Sequence, residues 1–163
     1  MDASGSKWGK VDRDLPVTGT MFIGEHRHSI DEKGRLQVPV KWRPKLAAGA
    51  VITKGFDGSL KFYPISAWQE IAEKLAKLPQ SQPESRAYVR QTLAGAVDIE
   101  LDKLGRVVVP GYLREYAHLS RQVILAGLFD HMEVWDEASW EKYQANIDQN
   151  TQEFTEVLKE IGI

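Results

Sequence analysis

The sequence IDEKGRLQVP at residues 30–39 recurs in altered form as LDKLGRVVVP at residues 101–110. With an offset of 71 residues, the Asp, Gly, Arg, Val and Pro of the two stretches coincide, and so does an Arg beyond each of them. An offset of 72 residues continues the match and aligns Trp68 with Trp140. A repeat of this length constrains the architecture more strongly than any local feature. The sequence therefore predicts two copies of one small β-rich unit, packed together as a pseudo-dimer.

Each copy is typical of a tight turn between two strands. Gly34 and Gly105 supply the positive φ that such a turn requires, and we assign Asp31 and Asp102 the role of holding the turn amides. The Arg that follows each Gly can pair with that Asp or bind a phosphate. The spacing alone leaves two alternatives open: a structural hairpin with an internal Asp–Arg pair, and a functional loop.

The composition is that of a globular protein and argues against several classes. The 163 residues suffice for one core or for two small ones. The chain has no Cys, which excludes disulfides and thiol chemistry. No apolar run approaches the length of a membrane span and no signal peptide is visible, so we expect an intracellular protein without a membrane partner.

Charge is distributed unevenly along the chain. The net charge is −2, but residues 21–95 carry 12 Lys and Arg against 7 Asp and Glu, whereas residues 96–163 carry 6 against 13. This asymmetry indicates either one side that faces an anion or a head-to-tail contact between subunits. A drift of surface charge between the repeats, without any function, is the remaining alternative.

The pattern of apolar residues and turn signals divides the chain into five segments. We expect a flexible N-terminal extension at residues 1–20, a first repeat at 21–78, a linker and helix at 79–95, a second repeat at 96–143 and a C-terminal helix at 144–163. Helix caps are predicted at Ser66, Asp136 and Asn150. The last helix has no counterpart in the first half, so its apolar face needs a partner.

Enzymatic signatures are weak. The chain has neither a G-x-S-x-G motif nor a phosphate-cradling Gly-rich loop. His26 and His28 share one face of a predicted strand as a candidate metal pair, but no third ligand is spaced to join them, so packing or surface roles are favoured. We expect no catalysis, no cofactor and no small-molecule substrate. Four tryptophans fall on apolar faces and are predicted to lie in the core: Trp42, Trp68, Trp135 and Trp140.

The doubled D-x-x-x-R motif and the Met-Phe-Ile-Gly stretch at residues 21–24 resemble the MraZ family of bacterial transcription regulators. The resemblance covers about residues 21–143. It implies a mainly β fold with appended helices (α+β), in which tandem AbrB/SpoVT-like swapped-hairpin repeats form a pseudo-two-fold barrel. It also implies a ring-shaped homo-oligomer at the nucleoid, which binds short direct repeats in double-stranded DNA and represses the division and cell-wall gene cluster.

Basic residues gather around the first turn, and short basic loops and two-stranded ribbons fit a DNA groove. We therefore predict DNA contact by Arg35 and Lys33, and then by Arg27. The resemblance adds Arg106 at the second turn, although Leu104 replaces the lysine there and acidic residues flank it. The alternatives are an oligomeric scaffold for protein or peptide with structural Asp–Arg turns, and an enzyme built on a related β-barrel.

Overall fold

The computed structural model describes residues 21–163, so the extension expected at residues 1–20 lies outside the described part. The described residues form strands and helices that alternate along the chain. The strands are β1 (Phe22–Ser29), β2 (Arg35–Gln37), β3 (Ala50–Lys54), β4 (Leu60–Pro64), β5 (Val97–Ile99), β6 (Arg106–Val108), β7 (Gln122–Phe129) and β8 (Met132–Asp136).

The helices lie between and after these strands. They are a 3₁₀ turn at Val40–Trp42, α1 (Arg43–Leu46), α2 (Ile65–Ala76), α3 (Pro83–Val89), α4 (Gly111–Tyr116), α5 (Glu137–Gln149) and α6 (Thr151–Glu160). A π-helical turn at Arg90–Ala94 follows α3 directly. Among the described residues, no helix combines the length and the apolar character needed to cross a bilayer.

Six strands form one antiparallel sheet to which both repeats contribute. Its order is β1-β7-β8-β4-β3-β5, and β2 pairs with β6 in a separate two-stranded ribbon. Strand β1 of the first repeat pairs along its whole length with β7 of the second, and β5 of the second pairs with β3 of the first. The repeats therefore exchange their outer strands and share a single sheet.

The expected fold class is confirmed in its broad outline and needs correction in its proportions. The described residues combine an antiparallel sheet with helices, as an α+β fold requires, but more of them lie in helices than in strands, so the chain is not mainly β. The linker and the C-terminal segment form helices outside the sheet and account for the difference. The sheet is open, with β1 and β5 at its edges, so its pairing does not close the implied barrel.

Corresponding positions of the two repeats face each other across a pseudo-two-fold axis. In the ribbon, Leu36 pairs with Val107, which is its equivalent at the offset of 71 residues. In the sheet, Lys61 pairs with Glu133, its equivalent at the offset of 72. A strand pair centred on equivalent residues is what a two-fold relation between the copies produces.

One apolar core lies between the sheet, the ribbon and the short helices. Its largest fully buried side chains are Trp42, Phe22 and Phe62, and the ring of Phe22 meets that of Trp42 edge-on at 5.3 Å. The prediction of core tryptophans is confirmed for Trp42 and Trp135. It is wrong for Trp68 and Trp140, which are only half-buried because they lie on helices outside the sheet.

One of the three predicted caps forms. The Asp136 side chain accepts a hydrogen bond from the Ser139 amide at the start of α5. Ser66 lies inside α2, which begins one residue earlier after Pro64 and has no side-chain cap. The Asn150 side chain donates back to the Asn146 carbonyl instead of capping α6. The cap at Asn150 was predicted wrongly because the neighbouring Asn146 carbonyl competes for the side chain. The cap at Ser66 was predicted wrongly because the helix already begins at Ile65.

Candidate nucleic-acid interface

The first turn is closed by one carboxylate. Oδ1 of Asp31 accepts the amide of Lys33 at 3.0 Å and that of Arg35 at 2.9 Å, while Oδ2 pairs with Nε of Arg35 at 2.6 Å. Gly34 takes φ +82°, which a residue with a Cβ rarely adopts. The D-x-x-x-R spacing therefore places all three acceptor contacts of the Asp within a single turn.

The second turn repeats this arrangement. Asp102 accepts the amides of Leu104 and Arg106 at 2.9 Å each, and its other oxygen pairs with Nε of Arg106 at 2.8 Å. Gly105 takes φ +78°. The roles of the two Asp and two Gly residues in shaping the turns thus agree with the geometry. The expected pairing of Arg106 with Asp102 is present.

The two turns are joined to each other through the ribbon. The Val38 amide donates to the Gly105 carbonyl at 3.0 Å, and the Val109 amide donates to the Gly34 carbonyl at 2.8 Å. Gln37 adds a side-chain hydrogen bond to the Leu104 carbonyl at 3.0 Å. Each turn is therefore hydrogen-bonded to the strand that leaves the other turn.

Two further arginines, Arg43 and Arg114, lock this junction, and sequence reasoning missed their role. Nε of Arg43 donates to the Val38 carbonyl at 2.8 Å, and Nε of Arg114 donates to the Val109 carbonyl at 3.0 Å. Each guanidinium also lies against the turn glycine of the other repeat. The available signal was the recurrence of this Arg beyond both copies of the motif.

The charges of the turns are fixed by these contacts. The backbone amide of Arg35 lowers the pKa of Asp31 below its usual value, and the paired guanidinium lowers it further against an opposing effect of desolvation. The pKa of Asp102 is lowered in the same way by Arg106. Both carboxylates are therefore ionised at neutral pH and hold the two arginines by Nε. The arginine side chains remain partly exposed, at 35% and 27%.

The turns differ in the residue at their tip. Lys33 is exposed in the first turn, and its counterpart Leu104 is 62% exposed in the second. No ion pair joins Arg106 to Asp98 or Glu100 within residues 21–163, although both of these acidic residues are exposed nearby in the chain. Each turn thus carries one Lys and one Arg, but the residues between Asp and Gly are Glu32 and Lys33 in the first turn and Lys103 and Leu104 in the second.

Arg27 lies apart from the turns. It belongs to β1, and its guanidinium pairs with Glu137 at 2.8 Å and with Glu141 at 3.8 Å, both on α5. Arg27 is therefore paired with acidic residues of α5 and is not part of the group formed by Lys33 and Arg35 at the first turn. An exposed ion pair of this kind is weak and is screened by salt. Contact between Arg27 and DNA stays a prediction.

The two histidines of β1 lie beside the core. The ring of His26 meets that of Trp42 edge-on at 4.8 Å, and burial followed by the charge of Lys41 lowers the pKa of His26. Burial also lowers the pKa of His28, with smaller effects of His26 and Arg43. Residues 21–163 contain no group of three side chains able to hold a metal ion. The ring of His26 packs on Trp42, and its Nε2 is buried without a hydrogen-bond partner within residues 21–163.

The fold and the turns together define a class: a two-repeat α+β protein whose repeats exchange strands and present two interlocked D-x-x-x-R turns on one ribbon. A family model described as "MraZ protein, putative antitoxin-like" matches residues 21–91 and again residues 92–160. The two matches confirm the repeat. The chain belongs to the MraZ family, which confirms the resemblance found in the motif.

Several relatives match most of the chain. A protein of Moorella thermoacetica is 45% identical over 123 residues, which span 76% of this chain and 86% of the relative. A protein of Desulfitobacterium hafniense (strain DCB-2) is 43% identical over 143 residues, or 88% of this chain and 100% of the relative. A third, from Roseiflexus castenholzii, is 40% identical over 86% of this chain and 99% of its own length. All three are named transcriptional regulator MraZ. This is the name of a regulator and not of an enzyme, so it agrees with the prediction that this chain is not an enzyme.

Proposed function

We propose that this protein is a sequence-specific DNA-binding regulator of transcription and that it contacts DNA through the two interlocked turns. The observation that carries the proposal is the junction itself, in which two copies of one Asp–Arg turn are held side by side by the β2–β6 ribbon. The regulator names of relatives that match most of the chain support it. Rigid, paired basic loops suit a repetitive, polyanionic ligand.

Arg35 is the principal contact in this proposal. Its Nε is occupied by Asp31, so its orientation is fixed while its terminal Nη groups have no protein hydrogen bond within residues 21–163. Those groups can donate side by side to phosphate oxygens or to O6 and N7 of guanine. Lys33 adds a second, more flexible charge beside it. Arg106 makes the equivalent contact from the second turn, and Arg27 contributes least because two glutamates already neutralise it.

The assembly that we propose is a homo-oligomer, in the form of a ring. One subunit offers two turns and would bind DNA weakly alone, whereas several subunits bound to successive direct repeats gain affinity through effective concentration. Helix α6 offers the contact between subunits, because none of its residues is buried and Phe154, Val157 and Leu158 form an exposed apolar face.

We place the DNA target upstream of the division and cell-wall gene cluster, with repression at the nucleoid, as the family resemblance implies. The division of the chain into an N-terminal extension, two repeats, a linker with a helix and a C-terminal helix is also part of this proposal.

The test is binding of the full-length protein to duplex DNA from upstream of its own gene, measured by fluorescence anisotropy over a range of salt concentrations. Arg35→Ala should weaken each site by about 1–3 kcal/mol if the arginine reads a guanine. If it binds only phosphate, the loss should be uniform across sequences and the salt slope shallower.

Arg90→Ala is the matched control, because Arg90 is an exposed arginine of the linker and helix segment, outside both turns. It should leave the affinity unchanged. Arg106→Ala should harm thermal stability or assembly at least as much as DNA binding. An Arg35→Ala protein that assembles normally and keeps the full affinity would reject the DNA face and favour the scaffold alternative.

A further inference from the structure

A cleft of about 240 Å³ lies away from the turns, between the β3–β4 hairpin and α3 with the π-helical turn. An aromatic wall forms one side of it, where the rings of Phe56 and Tyr88 stack at 5.5 Å with an interplanar angle of 11°. Phe56 is 56% exposed, which is unusual for an aromatic ring on a hairpin. A π-helical turn is a strained form of helix that is enriched at functional sites, and here it supplies Gln91 and Thr92 to the lining.

Two lysines of the cleft hold their ammonium groups over aromatic rings, and one of them, Lys61, lies opposite Glu133 in the β4–β8 strand pair. Nζ of Lys61 lies 4.7 Å from the centre of the Phe56 ring, and Nζ of Lys54 lies 5.2 Å from the centre of the Tyr116 ring. Neither lysine forms an ion pair with another residue of the range 21–163. The rings hold the ammonium groups by cation–π contacts and leave their hydrogen bonds free for a ligand.

The floor of the cleft contains a hydroxyl donor. Tyr63 lines the cleft and is 4% exposed, and no hydrogen bond within residues 21–163 uses its hydroxyl. The hydroxyl oxygen is not one of the fully buried atoms that lack a partner, so it can donate to a ligand in the cleft. Burial, followed by the charges of Tyr88, Asp130 and Glu133, raises the pKa of Tyr63 well above its usual range, so the hydroxyl stays a donor.

The two carboxylates that approach Tyr63 are already engaged. Oε1 of Glu133 accepts the indole N–H of Trp135 at 2.9 Å, and Asp130 pairs with His131 at 2.7 Å. The groups that remain for a ligand are therefore two ammonium ions and a hydroxyl donor beside an aromatic wall. From this set we propose that the cleft binds a small anion that carries one flat ring, with its phosphate or carboxylate at Lys54, Lys61 and Tyr63 and its ring against Phe56 and Tyr88.

The proposal does not depend on DNA binding and goes beyond the function proposed above. The chemistry fits because an anion satisfies the three donors at once, while a flat ring packs on aromatic side chains with little loss of conformational freedom. The volume is below that of a typical drug-sized site, which limits the ligand to one ring. A compact ligand of this kind would bridge the hairpin and α3.

The experiment is a titration of the full-length protein by ligand-detected NMR with two probes, orotate for the carboxylate and phenyl phosphate for the phosphate. Inorganic phosphate tests the anion without a ring, and uracil and phenol test the two rings without an anion. At least one of the two probes should bind saturably, and about tenfold or more tightly than its matched fragment. The two arms distinguish a carboxylate ligand from a phosphate ligand.

Two variants assign the binding to the cleft. Tyr63→Phe removes only the hydroxyl, Lys61→Met keeps the stem over Phe56 but removes the charge, and each should weaken binding by about tenfold. Lys159→Met, on α6 and far from this lining in the chain, is the control and should bind as the wild type does. Circular dichroism melts establish that the variants fold. Absence of saturable binding, equally tight binding of inorganic phosphate, or unchanged binding by the folded Tyr63→Phe variant would overturn the proposal.

Discussion

At the scale of single residues, the two turns depend on a carboxylate that performs three tasks. Asp31 accepts two amides of its own turn and orients the arginine four residues later, and Asp102 repeats this arrangement. An Asp side chain is short enough to reach the amides two and four residues ahead, which explains why this spacing recurs. The same contacts fix the pKa values, since each hydrogen bond favours the ionised form.

The first prediction concerns the pKa of Asp31 in the Arg35→Ala variant. Removing the guanidinium should raise this pKa only part of the way to its ordinary value of 3.8, because the stronger effect comes from the backbone amide of residue 35, which remains. Carboxyl carbon NMR over a pH titration measures it, and the pKa of Asp102 is the internal control. A return of the Asp31 pKa to its ordinary value would show that the side chain dominates.

The sign of the pH effect follows from the direction of these shifts. Because the pKa values of Asp31 and Asp102 are lower in the folded state, their contribution to stability is present above about pH 3.8, the ordinary Asp value. It is lost as the pH falls through the lower folded values.

The second prediction compares three glycines with similar positive φ. Gly58→Ala, where a Cβ meets no atom within 4 Å, should cost only the backbone strain of about 1–2 kcal/mol. Gly34→Ala should cost about 2–4 kcal/mol, because its Cβ would also lie 2.7 Å from the Val109 carbonyl oxygen. Gly105→Ala should fall between them, since the added Cβ overlaps the Arg43 side chain, which can shift if it gives up its bond to Val38.

Denaturant unfolding of the three variants measures these costs. Gly58→Ala is the control for the backbone term, since its φ of +79° nearly equals that of Gly105 at +78°. Equal destabilisation of all three variants would mean that the close approach of Arg43 and Arg114 to the turns does not contribute.

At the scale of elements, the junction between β8 and α5 shows how one side chain joins two segments. Asp136 accepts hydrogen bonds from the amide and hydroxyl of Ser120, at 3.2 and 2.7 Å, and from the amide of Ser139 at 3.3 Å. It therefore caps α5 and also holds the loop that leads into β7. Burial alone would raise the pKa of Asp136, but these hydrogen bonds lower it below its usual value.

The third prediction is that Asp136→Ala destabilises the protein by about 1–3 kcal/mol at neutral pH, because it removes the cap of α5 and the hydrogen bonds from Ser120 to a charged acceptor. Since the folded pKa is lowered, the difference from wild type should be present above about pH 3.8 and should diminish as the pH falls through the folded value. Thermal melts from pH 7 to pH 2.5 measure it. Asn150→Ala is the control, since its side chain bonds the Asn146 carbonyl at the other end of α5 and carries no titrating group. A pH-independent difference for Asp136→Ala would contradict the linkage.

At the scale of the whole molecule, both repeats contribute strands to one sheet, whereas α6 lies outside that sheet. Every strand pair of the six-stranded sheet except β3–β4 and β7–β8 joins one repeat to the other, so neither repeat has a complete sheet alone. Helix α6 buries no residue, and Val157 and Leu158 on its apolar face are 57% and 40% exposed. An apolar face of this kind on a folded chain indicates a contact with another molecule.

The fourth prediction is that Val157→Asp breaks the proposed assembly without unfolding the subunit. A charge on the apolar face of α6 opposes its burial between subunits, whereas the subunit core loses nothing because α6 does not contribute to it. Multi-angle light scattering should give a smaller particle, and the circular dichroism spectrum should stay that of the wild type. Gln152→Asp adds the same charge on the polar side and should leave the mass unchanged. A wild type that is already monomeric at micromolar concentration, or an unchanged mass of Val157→Asp, would reject α6 as the subunit contact.

The sequence by itself determined the repeat, the family and the chemistry inside each turn. These features are local or periodic: an Asp reaches amides two and four residues away, a Gly permits positive φ, and two copies at a fixed offset imply a two-fold arrangement. The cap at Asp136 and the burial of Trp42 belong to the same group, because each depends on a short pattern of residues.

Only the tertiary structure decided which repeat supplies the partner of each strand and of each contacting side chain. No local pattern shows that β1 pairs with β7, that Arg43 and Arg114 lie against the glycine of the other repeat, or that Arg27 meets an acidic helix 110 residues further along the chain. The cleft at Tyr63 is assembled from a hairpin and a helix in the same way. Contacts between distant segments depend on how the shared core is packed, and that packing is a property of the whole chain and not of any stretch within it.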